Sequence, residues 1–134
     1  MRLQLALNVV NIDRAVDYYT RLFDTAPHKR RPGYANFAIA EPPLKLVLFE
    51  KPDAAERLNH IGVEILDEAE MAPTQDRLSS TGLLSRVEKN ATCCHATQDK
   101  FWSDEPDGLS WEWYRITEDQ PRVDRDTLGK TCCV

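Results

Sequence analysis

A chain of 134 residues, 42% hydrophobic and 29% charged, is long enough for one compact domain with its own core and has an ordinary soluble, globular mixture. Its net charge of −5 offers no basic footprint for nucleic acid, and no apolar run approaches the ~18 residues of a membrane-spanning helix. MRLQLALNVVNID meets an acidic residue at Asp13 without a small-residue cleavage site and reads as mature protein, and four cysteines in two adjacent pairs, not spaced as a disulfide framework, suit a reduced, cytoplasmic protein.

In chain order, LQLALNV (Leu3 to Val9) alternates around apolar positions and reads as a strand. Asn11 can cap a helix whose apolar positions, Ile12, Ala15, Val16, Tyr19, Leu22 and Phe23, recur at gaps of three and four along one face. Pro27, Pro32 and Gly33 punctuate its exit; YANFAIA (Tyr34 to Ala40) and LKLVLFE (Leu44 to Glu50) are strands around a Glu41–Pro43 turn. Lys51 to Asn59 reads as a polar linker. The order then restarts. HIGVEIL (His60 to Leu66) is a strand, DEAEMAPTQDRLSSTG a weaker helix interrupted by Pro73 and stopped at Gly82, and LLSRVE and the Cys93 region are extended. The turn DEPDG (Asp104 to Gly108) leads into LSWEWYRI (Leu109 to Ile116).

The pattern βαβββ thus occurs twice. The expected fold is α+β, two such modules (about 1–50 and 58–116) forming a curved mixed sheet around a metal-binding cleft within one domain, 1–116, followed by a polar tail, 117–134.

Three positions suggest ligands. His60 opens a strand, Gln4 occupies the matching place in the first module, and Glu112 lies in the last strand on the face opposite Trp111 and Trp113. A carboxylate there is costly to bury unless it meets a proton, a cation or a metal; the plainer alternative is an edge strand with Glu112 in water. His28, between Pro27 and Lys29, reads as a loop residue. Taken together, an imidazole, a carboxylate and a neutral oxygen leave open positions, as in the two-His-one-carboxylate sites of non-haem Fe(II), with an amide in place of one His. Val47 stands opposite Glu112 when the modules are aligned, so the first module adds no carboxylate. The neighbouring thiols Cys93 and Cys94 read either as ordinary buried cysteines or as a chelating pair for a soft centre; the second pair, Cys132 and Cys133, reads as tail or as a second thiol clamp.

The helix end YYTRLFDTAP, the HIGVEI strand and the DEPDG turn before WEWY resemble the vicinal oxygen chelate superfamily, from roughly Arg2 to Arg115. RPGYANFAIAEPPLKLVLFE with TCCHATQDKFWSDEPDGLSWEWY more closely resembles the ArsI carbon–arsenic lyases, themselves similar to cadmium-induced CadI-like proteins. That resemblance implies a dioxygenase using Fe(II), with O2 as co-substrate, that cleaves the carbon–arsenic bond of trivalent organoarsenicals such as methylarsenite and releases arsenite. It maps the metal ligands onto Gln4, His60 and Glu112 and the arsenic-binding pair onto Cys93 and Cys94. His95 stands where many relatives carry an aromatic residue and receives no role. Gln4 in place of the superfamily's usual first histidine argues against four-ligand glyoxalase chemistry. Trp111, Trp113 or Tyr114 are expected to wall the organic group, and Asp99 to Gly108 to form a lid. A homodimer is compatible with the resemblance, and no membrane or nucleic-acid partner is expected. Two other readings stay open: another metal-dependent enzyme of the superfamily, or a module that sequesters Cd(II), Zn(II) or arsenicals without turnover.

Overall fold

The computed structural model describes residues 1–93 and 96–119. Its elements follow the expected order: β1 (Arg2–Val9), α1 (Ile12–Phe23), β2 (Lys29–Arg31), β3 (Tyr34–Ile39), β4 (Leu44–Glu50), β5 (Leu58–Glu64), α2 (Met71–Ser80), β6 (Arg86–Cys93), β7 (Ala96–Asp104) and β8 (Ser110–Asp119). The doubled βαβββ pattern is present and the fold is α+β. Among the described residues no helix is long and apolar enough to cross a membrane.

Residues Arg2–Glu64 form one compact unit. Its strands lie in the order β2-β3-β4-β1-β5, with β1 parallel to β4 and antiparallel to β5. The Asn11 side chain accepts the Arg14 N–H at 2.9 Å and starts α1; Asp24 ends it in the left-handed conformation (φ 48°). The apolar face of α1 follows from its spacing: Ile12 and Val16 are buried against Val9, Phe37, Ile39, Leu46 and Leu48. Each such side chain contributes about 1.5–3 kcal/mol by leaving water. Because side chains alternate along a strand, that core fixes the other face: Gln4, Ala6, Asn8, Asn36, Lys45 and Val47 point away from α1.

A second compact unit begins at Ile65 and contains α2 and the antiparallel strands β6, β7 and β8 in the order β8-β7-β6. Pro73 does not break α2, because it falls in the first turn, where N–H groups have no intrahelical acceptor. Ile65, Leu78 and Phe101 form the core beneath the helix, with Trp113 stacked on Phe101 at 6.2 Å and Arg77 over the Trp113 ring at 5.9 Å. Two expectations are corrected here. Asp99–Asp104 are not a lid but the second half of β7, whose Phe101 and Trp102 are buried; only the turn beyond Asp104 is loop. Trp113 belongs to the α2 core and Trp111 shares its side of the strand, so neither walls a space in front of Glu112; Tyr114 is on the Glu112 side. The last strand also runs to Asp119, beyond the expected end at Ile116.

Candidate functional site

Gln4 and His60 come together. Gln4 sits on β1 two residues from Ala6, and Ala6 is the cross-strand partner of His60. This diagonal places Gln4 Nε2 3.0 Å from His60 Nε2, with both residues buried. The pairing slips between Ala6 and Leu7, so Asn59 is an extra residue in β5. Regular alternation would send neighbours 59 and 60 to opposite faces. The bulge instead lets Asn59 Oδ1 meet His60 Nδ1 at 2.8 Å.

The direction of these bonds is fixed by chemistry. The backbone carbonyl of Glu56 can only accept, so Asn8 gives it Nδ2 (2.9 Å) and turns Oδ1 the other way. Asn59 Nδ2 donates to that Oδ1 at 2.9 Å, which leaves Asn59 Oδ1 to accept from His60 Nδ1–H. The neutral imidazole is therefore the Nδ1–H tautomer, and its Nε2 lone pair accepts from the Gln4 amide. A lone pair aimed away from a hydrogen-bonded N–H is what a metal-ligating histidine presents.

Glu112 is also buried, at 4% exposure, as the sequence argument required if it were not at an edge in water. It meets a cation that the sequence did not reveal. Lys100 Nζ, on β7 and 1% exposed, donates to Glu112 Oε2 at 3.2 Å, and Trp102 lies directly across from Glu112 in the β7–β8 register. Asn59 and Asn8 were missed as well. The available signal was Asn8 sharing the strand parity of Gln4, and an amide immediately before a candidate ligand. A groove of about 340 Å³ beside Met71, Gln75, Asp99 and Arg115 opens on the α2 side of the second unit, opposite the side of Glu112.

Within the first unit, the His60 imidazole with its lone pair defined and the Gln4 amide, whose oxygen would take the position of its nitrogen after a half-turn, are donors that suit a divalent cation, as is the Glu112 carboxylate in the second unit. Gln4 now offers nitrogen, which does not coordinate, so ligation requires that rotation. Among the described residues no three or more His, Cys, Asp or Glu side chains cluster.

β6 ends at Cys93, paired with Ala96. Cys94, His95, Cys132 and Cys133 lie outside the described residues, so the expected thiol pair and the tail clamp are not described. The backbone register still gives a distance. Ala96 is six residues along β7 from Trp102, the partner of Glu112, or roughly 20 Å of extended strand.

Residues 3–113 match the family described as the Glyoxalase/Bleomycin resistance protein/Dioxygenase superfamily. The chain belongs to this superfamily. Within it, the chain is 50% identical over 140 residues to the cadmium-induced protein CadI of Mycobacterium tuberculosis, covering 98% of this chain and 92% of that one. It is 47% identical over 137 residues to the trivalent organoarsenical cleaving enzyme of Thermomonospora curvata, covering 98% and 87%. A solved superfamily structure from Vibrio splendidus, 16% identical, covers 86% of this chain and 97% of its own with a TM-score of 0.55, a likeness of fold alone.

Proposed function

We propose that this protein is a carbon–arsenic lyase that cleaves trivalent organoarsenicals to arsenite with Fe(II) and O2, in a reducing cytoplasm. The observation that carries the reading is its near full-length likeness to the trivalent organoarsenical cleaving enzyme of Thermomonospora curvata. The ligands proposed are Gln4, His60 and Glu112, and the substrate-binding residues Cys93 and Cys94. The His60 tautomer and the burial of Glu112 support the first set. Iron bound by these residues supplies the oxygen-activating chemistry.

The protein's own share is capture and positioning. Trivalent arsenic is soft and takes thiolates; two adjacent thiols chelate it, because binding by the first raises the effective concentration of the second. The ~20 Å of strand between the level of Cys93 and that of Glu112 adds a requirement. Capture at Cys93 and reaction at the level of Glu112 are separate places along the strand, and bringing the two together is what this reading requires of the enzyme. Lys100 holds one carboxylate oxygen of Glu112 and so orients it.

The test is aerobic incubation of Fe(II)-loaded protein with methylarsenite. Arsenite is expected with oxygen and not without it. Cys93→Ser and Cys94→Ser are each expected to abolish arsenical binding while leaving Fe(II) binding intact; wild-type affinity in both would contradict the assignment. The second reading is a soft-metal or arsenical-binding protein without turnover, which the likeness to a protein named for its induction by cadmium keeps in view. Stoichiometric uptake without arsenite release in the same assay would select it.

A further inference from the structure

We propose that Asn59 is a positioning residue that, backed by Asn8 and the Glu56 carbonyl, locks His60 as the Nδ1–H tautomer and so keeps the Nε2 lone pair available to a cation. The inference rests on the ligand assignment for His60 and adds to it residues that touch neither metal nor substrate.

Four observations converge. The chain of bonds from Glu56 O through Asn8 and Asn59 to His60 runs in one direction only, because its first member is a backbone carbonyl that cannot donate. Every link is 2.8 or 2.9 Å long. Asn8 is held at a second point, its carbonyl accepting from Arg57 Nε at 2.9 Å, and its N–H donates to Arg57 O at 2.7 Å, so the Glu56–Arg57 segment is clasped against β1. The β5 bulge is what brings residue 59 to the side of residue 60. Had β5 paired regularly, Asn59 would face the α1 side and His60 Nδ1 would need another acceptor. The local irregularity therefore has a chemical result: it sets which imidazole nitrogen carries the proton.

An imidazole released from this chain distributes its proton between both nitrogens and turns more freely about χ2. A cation at Nε2 must then select one tautomer and one orientation from several, and affinity falls accordingly. Loss of such a supporting bond typically weakens metal binding about 10- to 100-fold.

The experiment uses the full chain with 15N-labelled histidine, free of metal and at a pH where the imidazole is neutral. His60→Gln identifies the His60 signals. Wild type is expected to show His60 with Nδ1 protonated and Nε2 unprotonated. Asn59→Leu is expected to populate the other tautomer and weaken Co(II) binding about 10- to 100-fold in an absorbance titration. Asn59→Asp keeps the acceptor and is expected to keep both the tautomer and Co(II) affinity within a few-fold of wild type. Should Asn59→Leu fail to fold, Asn8→Ala carries the same test, because without that amide Asn59 loses its fixed orientation. An unchanged tautomer in the apolar variants, or a changed tautomer with unchanged Co(II) affinity, overturns the proposal. If wild type binds Co(II) no better than His60→Ala, the ligand assignment beneath the proposal fails. The metal-free tautomer measurement distinguishes that failure from failure of the positioning chain.

Discussion

Glu112 and Lys100 form a charge pair that water scarcely reaches, at 4% and 1% exposure. Such a pair adds little net stability over apolar residues of the same size, but removing one member takes a charged partner from the other in a buried place, at a cost of up to about 3–5 kcal/mol. Lys100→Met is therefore expected to destabilise the metal-free protein by about that much, while the double substitution Lys100→Met with Glu112→Leu loses far less. Urea unfolding of the single and double variants measures it; a Lys100→Met loss below about 1 kcal/mol would mean that water or a second partner serves Glu112. Glu112 was legible in the sequence because a carboxylate alternating with tryptophans poses an energetic question. Its answer was not, because DKFWSDEPDG reads as a polar loop until the strand frame is known; only then do Lys100 and Trp102 fall on one side and Asp99 and Phe101 on the other. His60 was legible as an imidazole opening a strand. Asn59 was assigned to the linker, and nothing in composition announces a bulge, which arises from pairing with β1.

The turn between β7 and β8 shows the same division at the level of elements. DEPDG announces a reversal, and Gly108 takes the left-handed conformation (φ 96°) that favours glycine. The sequence did not show that Glu105 organises the turn. Its carboxylate accepts the N–H of Asp107 at 3.0 Å and of Leu109 at 2.9 Å. These bonds, Asp107 first, hold its pKa below the ordinary value of 4.5 against a slight opposing effect of burial. A carboxylate depressed in the folded state stabilises it fully above the unfolded pKa, and that contribution disappears as pH falls through the folded value. Glu105→Gln is thus expected to melt below wild type at neutral pH, with the gap closing as pH drops below about 4.5. Thermal melts of both proteins across that range decide it, and a gap independent of pH would assign the effect to packing. Other elements divide similarly. The cap at Asn11 and the spacing of α1 were plain in the sequence, whereas β2, three charged residues aligned with the backbone of β3, carries no periodic signal.

For the whole chain, the repeated order of elements was enough to give the fold class, because most of the strands and the first helix carry their own periodicity. The proposed metal ligands are a different matter. Positions 4, 60 and 112 are far apart in sequence, so the unfolded chain holds no preformed site, and the free energy of cation binding goes to the native state. At 100 times its dissociation constant, a cation that binds only the folded protein adds about 2.7 kcal/mol. For a chain of this size that corresponds to a rise in Tm on the order of 10 °C. Anaerobic Fe(II), or Co(II) as a stand-in, is expected to produce that rise in wild type and to lose it on chelation. His60→Ala and Glu112→Ala are each expected to remove most of it. The Gln4 variant tests the amide separately. Gln4→Ala deletes the carbonyl oxygen together with the N–H that donates to His60 Nε2. If rotation of the amide brings its oxygen to the metal, the lost ligand dominates and the rise in Tm shrinks. If Gln4 only covers His60 in the metal-free protein, the competing hydrogen bond vanishes and the rise grows. The sign of that one change decides whether Gln4 ligates the cation or competes with it.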